Sequence, residues 1–130
     1  MVESEKNIYA EIFPNPLNIY KGAAGEYCET SMTLKNLTNN YLIFKIWVNI
    51  KDIYLVNPSS SFIKPNESKK IIINRKKNEE NNSIIKEKFL IKIYVSETIL
   101  NSDEEVKEML KNKKYDEKKE QKIRININLN

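Results

Sequence analysis

Few residues in this 130-residue sequence have the types and spacing that enzyme chemistry requires. The chain contains no histidine and one cysteine, Cys28, so it can form neither a Cys/His zinc site nor a nucleophile–histidine pair. The carboxylate pairs Glu79–Glu80 and Glu104–Glu105 lie in polar stretches, where such pairs are ordinarily solvated rather than catalytic. Two glycines, Gly22 and Gly25, cannot make a phosphate-binding loop. The sequence predicts no enzyme activity, no catalytic residue, no metal site and no cofactor.

Binding chemistry is better supported, because charge is unevenly distributed along the chain. Residues 1–40 carry three lysines and five acidic residues, whereas residues 41–130 carry nineteen Lys and Arg against thirteen acidic residues. A basic surface attracts acidic peptides, anionic lipid headgroups and nucleic acid. Nucleic acid is the weakest candidate, since the sequence has no RNP aromatic motif, no GXXG loop and no basic helix free of acids. We therefore expect an acidic partner and no nucleic acid.

The amino terminus, MVESEKN, has no apolar leader, and the longest apolar stretch, Tyr41–Ile50, is interrupted by Lys45 and Asn49. Cys28 has no second cysteine to pair with, which fits a reducing compartment. We expect a soluble, cytoplasmic domain that does not cross a membrane by itself.

A basic surface of this kind needs a sheet to position its residues. The length of the chain, with 40% hydrophobic and 31% charged residues, fits one globular domain. Candidate strands, each bounded by Pro, Gly, Asn or Ser, are Tyr9–Phe13, Leu17–Tyr20, Glu29–Asn36, Tyr41–Ile50, Tyr54–Asn57, Lys69–Asn74, Lys86–Ser96 and Lys122–Leu129. About eight short strands at this spacing predict an all-β sandwich.

One segment departs from the strand pattern. Ser102 and Glu105 have the spacing of a capping box, and acidic residues fill the turn that follows Ser102. A narrow apolar stripe comes next, formed by Val106, Met109 and Leu110. The sequence predicts one short surface helix over Ser102–Lys113.

The strand at Lys86–Ser96 alternates with a period of two. Its apolar face consists of Phe89, Ile91, Ile93 and Val95. The opposite face, expected to be solvated, consists of Lys88, Leu90, Lys92 and Tyr94. Leu90 is unusual there, because it is an apolar side chain between two lysines.

The same alternation of apolar and polar residues occurs in the predicted strands Tyr41–Ile50 and Lys122–Leu129. Their apolar faces are Leu42, Phe44, Ile46, Val48 and Ile50 in the first, and Ile123, Ile125, Ile127 and Leu129 in the second. If the three strands lie in one sheet, their outer faces pool Lys45, Trp47, Lys88, Leu90, Lys92, Lys122 and Arg124. Such a patch suits an extended peptide that carries an aromatic anchor and acidic flanks.

A structural alternative explains the same residues without a ligand. An outward Leu or Trp can be covered by a helix or loop, and lysines on strands commonly prevent edge pairing. On this hypothesis Trp47 is buried under a loop, while Lys45, Lys92 and Arg124 are ordinary solvated side chains.

Several segments resemble a known family. They are Leu34–Thr38 (LKNLT), Phe44–Ile46 (FKI), Tyr54–Ser60 (YLVNPSS), Phe62–Ser68, Lys88–Leu90 (KFL) and Lys122–Arg124 (KIR). In order and spacing they are similar to the major sperm protein (MSP) domain of the VAMP-associated proteins. The resemblance covers roughly residues 8–129 and implies a single MSP-like domain over residues 1–130.

This resemblance implies an immunoglobulin-like sandwich that binds acidic peptides containing two phenylalanines. Family members use it to recruit lipid-transfer and tethering proteins to the cytosolic face of the endoplasmic reticulum membrane. Lys88 and Lys122 would meet acidic peptide residues, and Leu90 would replace a methionine that contacts the apolar side chain. The predicted peptide-binding residues are Lys45, Trp47, Asn49, Lys88, Leu90, Lys122 and Arg124.

The sequence also departs from the family pattern. Trp47, Val48 and Asn49 stand where the family commonly has a lysine and two threonines, and Ser61 replaces a glycine. The family's coiled coil and membrane anchor are not found in these 130 residues, so either a tail outside them attaches the domain to the membrane or the domain acts without a tail. A self-associating structural module without peptide binding is the alternative function, and homodimerisation is left open.

Overall fold

The computed structural model describes residues 8–19, 27–49, 53–76 and 87–129. Within these ranges the chain forms nine strands, one α-helix and one short 3-10 helix. The elements are β1 (Ala10–Phe13), β2 (Leu17–Ile19), β3 (Tyr27–Asn36), β4 (Tyr41–Val48), β5 (Tyr54–Asn57), β6 (Ser60–Ile63), β7 (Ser68–Lys76), β8 (Lys88–Ser96), α1 (Asp103–Lys111), the 3-10 helix Glu117–Lys119 and β9 (Gln121–Leu129).

The strands form two sheets. The four-stranded sheet has the order β1-β3-β7-β5, and the five-stranded sheet has the order β2-β9-β8-β4-β6. All pairings are antiparallel except that of β2 with β9, which is parallel. The predicted all-β, immunoglobulin-like sandwich with one short surface helix is confirmed, and β4, β8 and β9 are neighbours in one sheet.

Strand alternation builds the core between the sheets. The five-stranded sheet contributes fully buried Leu42, Phe44, Phe89, Ile91 and Ile93, and the four-stranded sheet contributes Met32, Leu34, Ile71 and Ile73. Full burial of each such side chain contributes about 1.5–3 kcal/mol relative to exposure. Because inward residues alternate with outward ones, this core fixes which residues of β4, β8 and β9 form the outer face.

The predicted elements differ from the observed ones in a few places. Strand β6 was not predicted, because its sequence, SSFI, begins with two serines and follows β5 after only two residues. The helix is shorter than predicted, but Ser102 is its N-cap and its hydroxyl accepts a hydrogen bond of 3.3 Å from the Glu105 N–H. The strand ends predicted at Tyr20, Ile50 and Lys86, and the pair Glu79–Glu80, lie outside the described residues.

The expectation that the outer face of β8 is solvated along its length is wrong at Tyr94. Tyr94 and Ile43 point away from the main core but are buried, because α1 packs over them. Val106 and Leu100 complete this second, smaller cluster. The apolar stripe of the helix therefore covers the Ile43 end of the outer face and leaves the Trp47 end uncovered.

A buried ion pair closes one end of the sandwich. The guanidinium of Arg75 on β7 donates to both carboxylate oxygens of Glu87, at 2.8 and 3.0 Å, and the Tyr54 hydroxyl donates to the same carboxylate. Burial, and then the hydrogen bond to Glu87, raise the pKa of Tyr54, so its hydroxyl stays a donor. These contacts join β5 and β7 of one sheet to the start of β8 in the other.

Asn36 links two loops at the opposite end of β3. Its side-chain amide donates to the carbonyls of Asn40, Ile63 and Lys64 at 2.8–3.1 Å, and its oxygen accepts from the N–H and hydroxyl of Thr38. Asn36 is fully buried, and these bonds satisfy it completely. The LKNLT segment is thus explained by loop anchoring rather than by ligand contact.

Replacing Asn36 by alanine should lower the free energy of unfolding by about 3 kcal/mol, because buried carbonyls lose their donor. Urea unfolding would measure this as a lower midpoint with an unchanged slope. Asn39→Ala is the matched control: Asn39 is exposed, and a change within about 0.5 kcal/mol is expected. Equal midpoints for the two variants would contradict the anchoring role.

Candidate functional site

The register of β4, β8 and β9 places the predicted site residues in cross-strand rows on the outer face. Trp47 lies opposite Leu90, which lies opposite Arg124. In the next row, Lys45 lies opposite Lys92, which lies opposite Lys122. The two rows are adjacent because their members are two residues apart on each strand. The sheet therefore brings together the residues that the sequence pooled, and their role in binding peptide stays a prediction.

Asn49 and Lys88 define the far end of this face. The Asn49 N–H donates to the Lys88 carbonyl at 3.3 Å, and the Asn49 side-chain oxygen accepts from the Lys88 N–H at 2.8 Å. Asn49 thus extends the β4–β8 pairing beyond Val48. This fixes the backbone from which the exposed Lys88 side chain projects.

Trp47 is not buried under a loop: 41% of its surface is exposed. The Lys45 ammonium lies 4.2 Å from the centroid of the indole ring, and that of Lys92 lies 5.9 Å away. Cation–π contacts at exposed sites contribute about 0.5–1 kcal/mol each. The contacts hold two ammonium groups against an accessible aromatic surface.

A hollow of about 330 Å³ lies on one side of Trp47. Among the residues that line it, Trp47 and Leu90 present apolar side chains on the outer face, and Lys88 and Arg124 present cations. We call it the apolar hollow. An aromatic side chain fits this combination of apolar lining and cationic rim.

A second hollow, of about 480 Å³, lies on the other side of Trp47, between the sheet and α1. We call it the lysine cleft, because it is lined by Lys45, Lys92, Lys107 and Lys111, with Ser60 and Tyr115. Lys107 and Lys111 are not among the site residues predicted from the sequence. The sequence predicts that α1 lies on the surface, but it does not show which strands the helix covers. The i, i+4 spacing of the two lysines places both on one side of the helix, next to the apolar Val106 and Leu110, and this is the signal in the sequence that points to them.

Ser61 explains how α1 is held over the sheet. Ser61 is buried on β6, and its hydroxyl donates to the carboxylate of Asp103, the first residue of α1. A glycine, which the resemblance to the VAMP-associated proteins implies at this position, could not make this bond with a side chain. The Ser61 hydroxyl thus ties the amino-terminal end of the helix to β6.

Lys122 is less available than its position in the row indicates. Its ammonium lies 3.4 Å from a carboxylate oxygen of Glu120, and it lines neither hollow. Glu120 also accepts from the Tyr94 hydroxyl. Burial, and then this hydrogen bond, raise the pKa of Tyr94. A ligand carboxylate at Lys122 would have to compete with Glu120.

In the part of the chain that the structure describes, no group of His, Cys, Asp or Glu residues is arranged to hold a metal ion. None of the helices there is long and apolar enough to cross a membrane.

Two packed, mainly antiparallel sheets with an open basic and aromatic face define a β-sandwich module of the immunoglobulin-like class. The family model of the MSP (major sperm protein) domain matches residues 10–115. The chain belongs to the MSP domain family. No curated protein sequence matches it.

Solved structures agree with this assignment at the level of the fold. The chain is similar to WR4, a C. elegans MSP family member, with a TM-score of 0.65 and 16% identity over 92% of this chain and 98% of that one. It is similar to SSP-19, an MSP-domain protein like family member of Caenorhabditis elegans, with a TM-score of 0.65 and 14% identity over 89% and 96% of the two chains. A PapD-like domain of human CEP192 has a TM-score of 0.59 and 9% identity over 99% and 88%.

The lysines around Trp47 should make its fluorescence sensitive to the charge of a quencher. Trp47 is the only tryptophan, and iodide should quench it severalfold more strongly than caesium at low salt, because nearby ammonium groups concentrate anions. Lys45→Gln should reduce the iodide quenching constant to about half and leave quenching by neutral acrylamide unchanged. Equal constants for iodide and caesium would contradict this arrangement.

Proposed function

We propose that this MSP domain is a non-enzymatic adaptor that binds acidic, phenylalanine-containing peptides on the outer face of β4, β8 and β9. The observation that carries the proposal is the contiguity of the apolar hollow with the row of lysines, on either side of an exposed Trp47. MSP domains are in general non-enzymatic structural or interaction modules, which agrees with this assignment.

The apolar hollow supplies the affinity for an aromatic anchor. Leu90 on β8 and Trp47, directly opposite on β4, both line it. Burying one aromatic side chain there is worth about 1.5–3 kcal/mol. A partly exposed lysine contact is worth about 1 kcal/mol or less. The exchange of the family's lysine for Trp47 therefore retunes the site toward apolar contact instead of disabling it.

Cations around the hollow supply the preference for acidic peptides. Lys88 and Arg124 lie at its rim, and Lys45 and Lys92 lie beyond Trp47. Each contact is weak, but together they raise the association rate of a negatively charged ligand and disfavour a positively charged one.

The resemblance to VAMP-associated proteins supports a cellular role. We place the domain at the cytosolic face of the endoplasmic reticulum membrane, where it would recruit lipid-transfer or trafficking proteins. The support for this role is the family match and the order of the segments FKI, YLVNPSS, KFL and KIR.

Trp47 emission gives a direct titration of peptide binding. An acidic peptide with two phenylalanines should shift or quench the emission, and the same peptide with both phenylalanines changed to alanine should not. Leu90→Asp should abolish the response, because it places a carboxylate in the apolar lining of the hollow. Leu55→Asp is the matched control, since Leu55 is 60% exposed on β5 of the other sheet.

A domain that gives no response to any acidic aromatic peptide would contradict the proposal. If its sedimentation coefficient also rose with protein concentration, the self-associating structural module would be the better assignment.

Charge reversal tests the electrostatic part of the site. Lys88→Asp should weaken peptide binding about tenfold at low salt, because a favourable contact becomes repulsive, and the loss should shrink as salt rises. Lys70→Asp, at an exposed position on β7 of the other sheet, changes net charge equally and should alter affinity less than about twofold. Isothermal calorimetry at several salt concentrations would measure both. Affinity indifferent to salt and to Lys88→Asp would contradict the assignment.

A further inference from the structure

The lysine cleft is a separate feature from the apolar hollow. We infer that Lys107 and Lys111 of α1 are specificity-determining residues, which select peptides whose acidic residues lie about four positions from the aromatic anchor. The inference rests on the proposed function and deepens it: the hollow would bind the anchor and the cleft would bind the acidic segment.

The lining of the cleft points to an anionic ligand. Four of its residues are lysines, two from the sheet and two from α1, and the lining includes no Asp or Glu. Lys45 and Lys92 lie directly opposite each other on neighbouring strands, where like charges are unfavourable. The ion pair of Lys107 with Glu104 is long, 4.0 Å, and both side chains are mostly exposed. Carboxylates in the cleft would relieve this repulsion.

Contacts at the start and along the buried side of α1 fix its position against the sheet. The Ser61 hydroxyl bonds Asp103 at its amino-terminal end, and Val106 is buried against the sheet. Leu110, between the two lysines, packs against the same cluster. The backbone positions from which Lys107 and Lys111 project are thus fixed relative to Lys45 and Lys92.

One extended peptide can reach both features. Trp47 lines the apolar hollow and the lysine cleft, so a chain crossing its exposed ring contacts both. Leu90 lines the apolar hollow and Tyr94 lines the lysine cleft, and these two residues lie four positions apart along β8. Four residues of strand span about 14 Å, and an extended peptide covers that distance in about four residues. This continuity favours a single peptide over a free anion.

The experiment compares peptides that differ only in spacing. Each carries two adjacent phenylalanines, as in the peptide of the proposed function, and two aspartates placed either next to the phenylalanines or about four residues away. Spaced peptides are made with the acids before and after the anchor, and an asparagine version of each is the neutral control. Affinities come from the anisotropy of a labelled peptide. The unmodified domain should bind one spaced peptide more tightly than the adjacent one.

The variant Lys107→Gln/Lys111→Gln should lose about tenfold in affinity for that spaced peptide, and less than about twofold for the adjacent and neutral peptides. Lys118→Gln/Lys119→Gln is the matched control. Both residues are exposed on the 3-10 helix, and this variant removes two positive charges, as the Lys107→Gln/Lys111→Gln variant does. It should change every affinity less than about twofold. Unchanged urea midpoints would establish that both variants are folded.

Three outcomes would overturn the inference. Equal losses for spaced and adjacent peptides would mean that the helix lysines act only through net charge. Unchanged affinity for all peptides in the Lys107→Gln/Lys111→Gln variant would remove the role of the helix while leaving the proposed function intact. No binding of any peptide by the unmodified domain would overturn the proposed function together with the inference.

Discussion

Helix α1 packs Val106 against Ile43 and Tyr94, and this contact divides the outer face of the five-stranded sheet into a covered half and an open half. The covered half becomes a second core, because alternation continues along β4 and β8 but water is excluded there. The open half keeps Trp47 and Leu90 accessible between cations. The lysine cleft depends on the position of the helix, since Lys107, Leu110 and Lys111 line it, whereas the residues that line the apolar hollow come from the three strands and their ends.

Much of this arrangement follows from the sequence alone, because period-two alternation is a local property. The inward residues of β8 and the pooled outer residues of three strands could be assigned without coordinates, and the capping box located the helix. The burial of Tyr94 could not be assigned, because it depends on which strands the following helix packs against, and no local pattern gives this. For the same reason Lys107 and Lys111 could be recognised only as exposed helix residues. Strand β6 was missed because pairing with β4, not its own composition, makes it a strand.

Asn36 fits the resemblance to the VAMP-associated proteins, whereas Ser61 and Trp47 depart from it. Asn36 lies in a segment that resembles the VAMP-associated proteins, and its side-chain amide bonds carbonyls in two loops. Ser61 stands where the resemblance implies glycine, and its hydroxyl bonds Asp103 at the start of α1. This bond acts on the position of the helix and not on the open face directly. Trp47 departs directly on the open face, where it joins the two hollows.

The open half of the outer face contains two features that lower the stability of the domain. An exposed indole leaves apolar surface in water, and Lys45 opposite Lys92 places like charges side by side. The cation–π contacts offset only part of these costs, since each contributes about 0.5–1 kcal/mol. A hydrophobic residue next to carboxylates would relieve both at once, because it covers the indole and neutralises the lysines. A neutral apolar partner would leave the lysine repulsion in place, and a free anion would leave the indole exposed. The two unfavourable features together therefore favour a ligand that carries both an apolar and an anionic group.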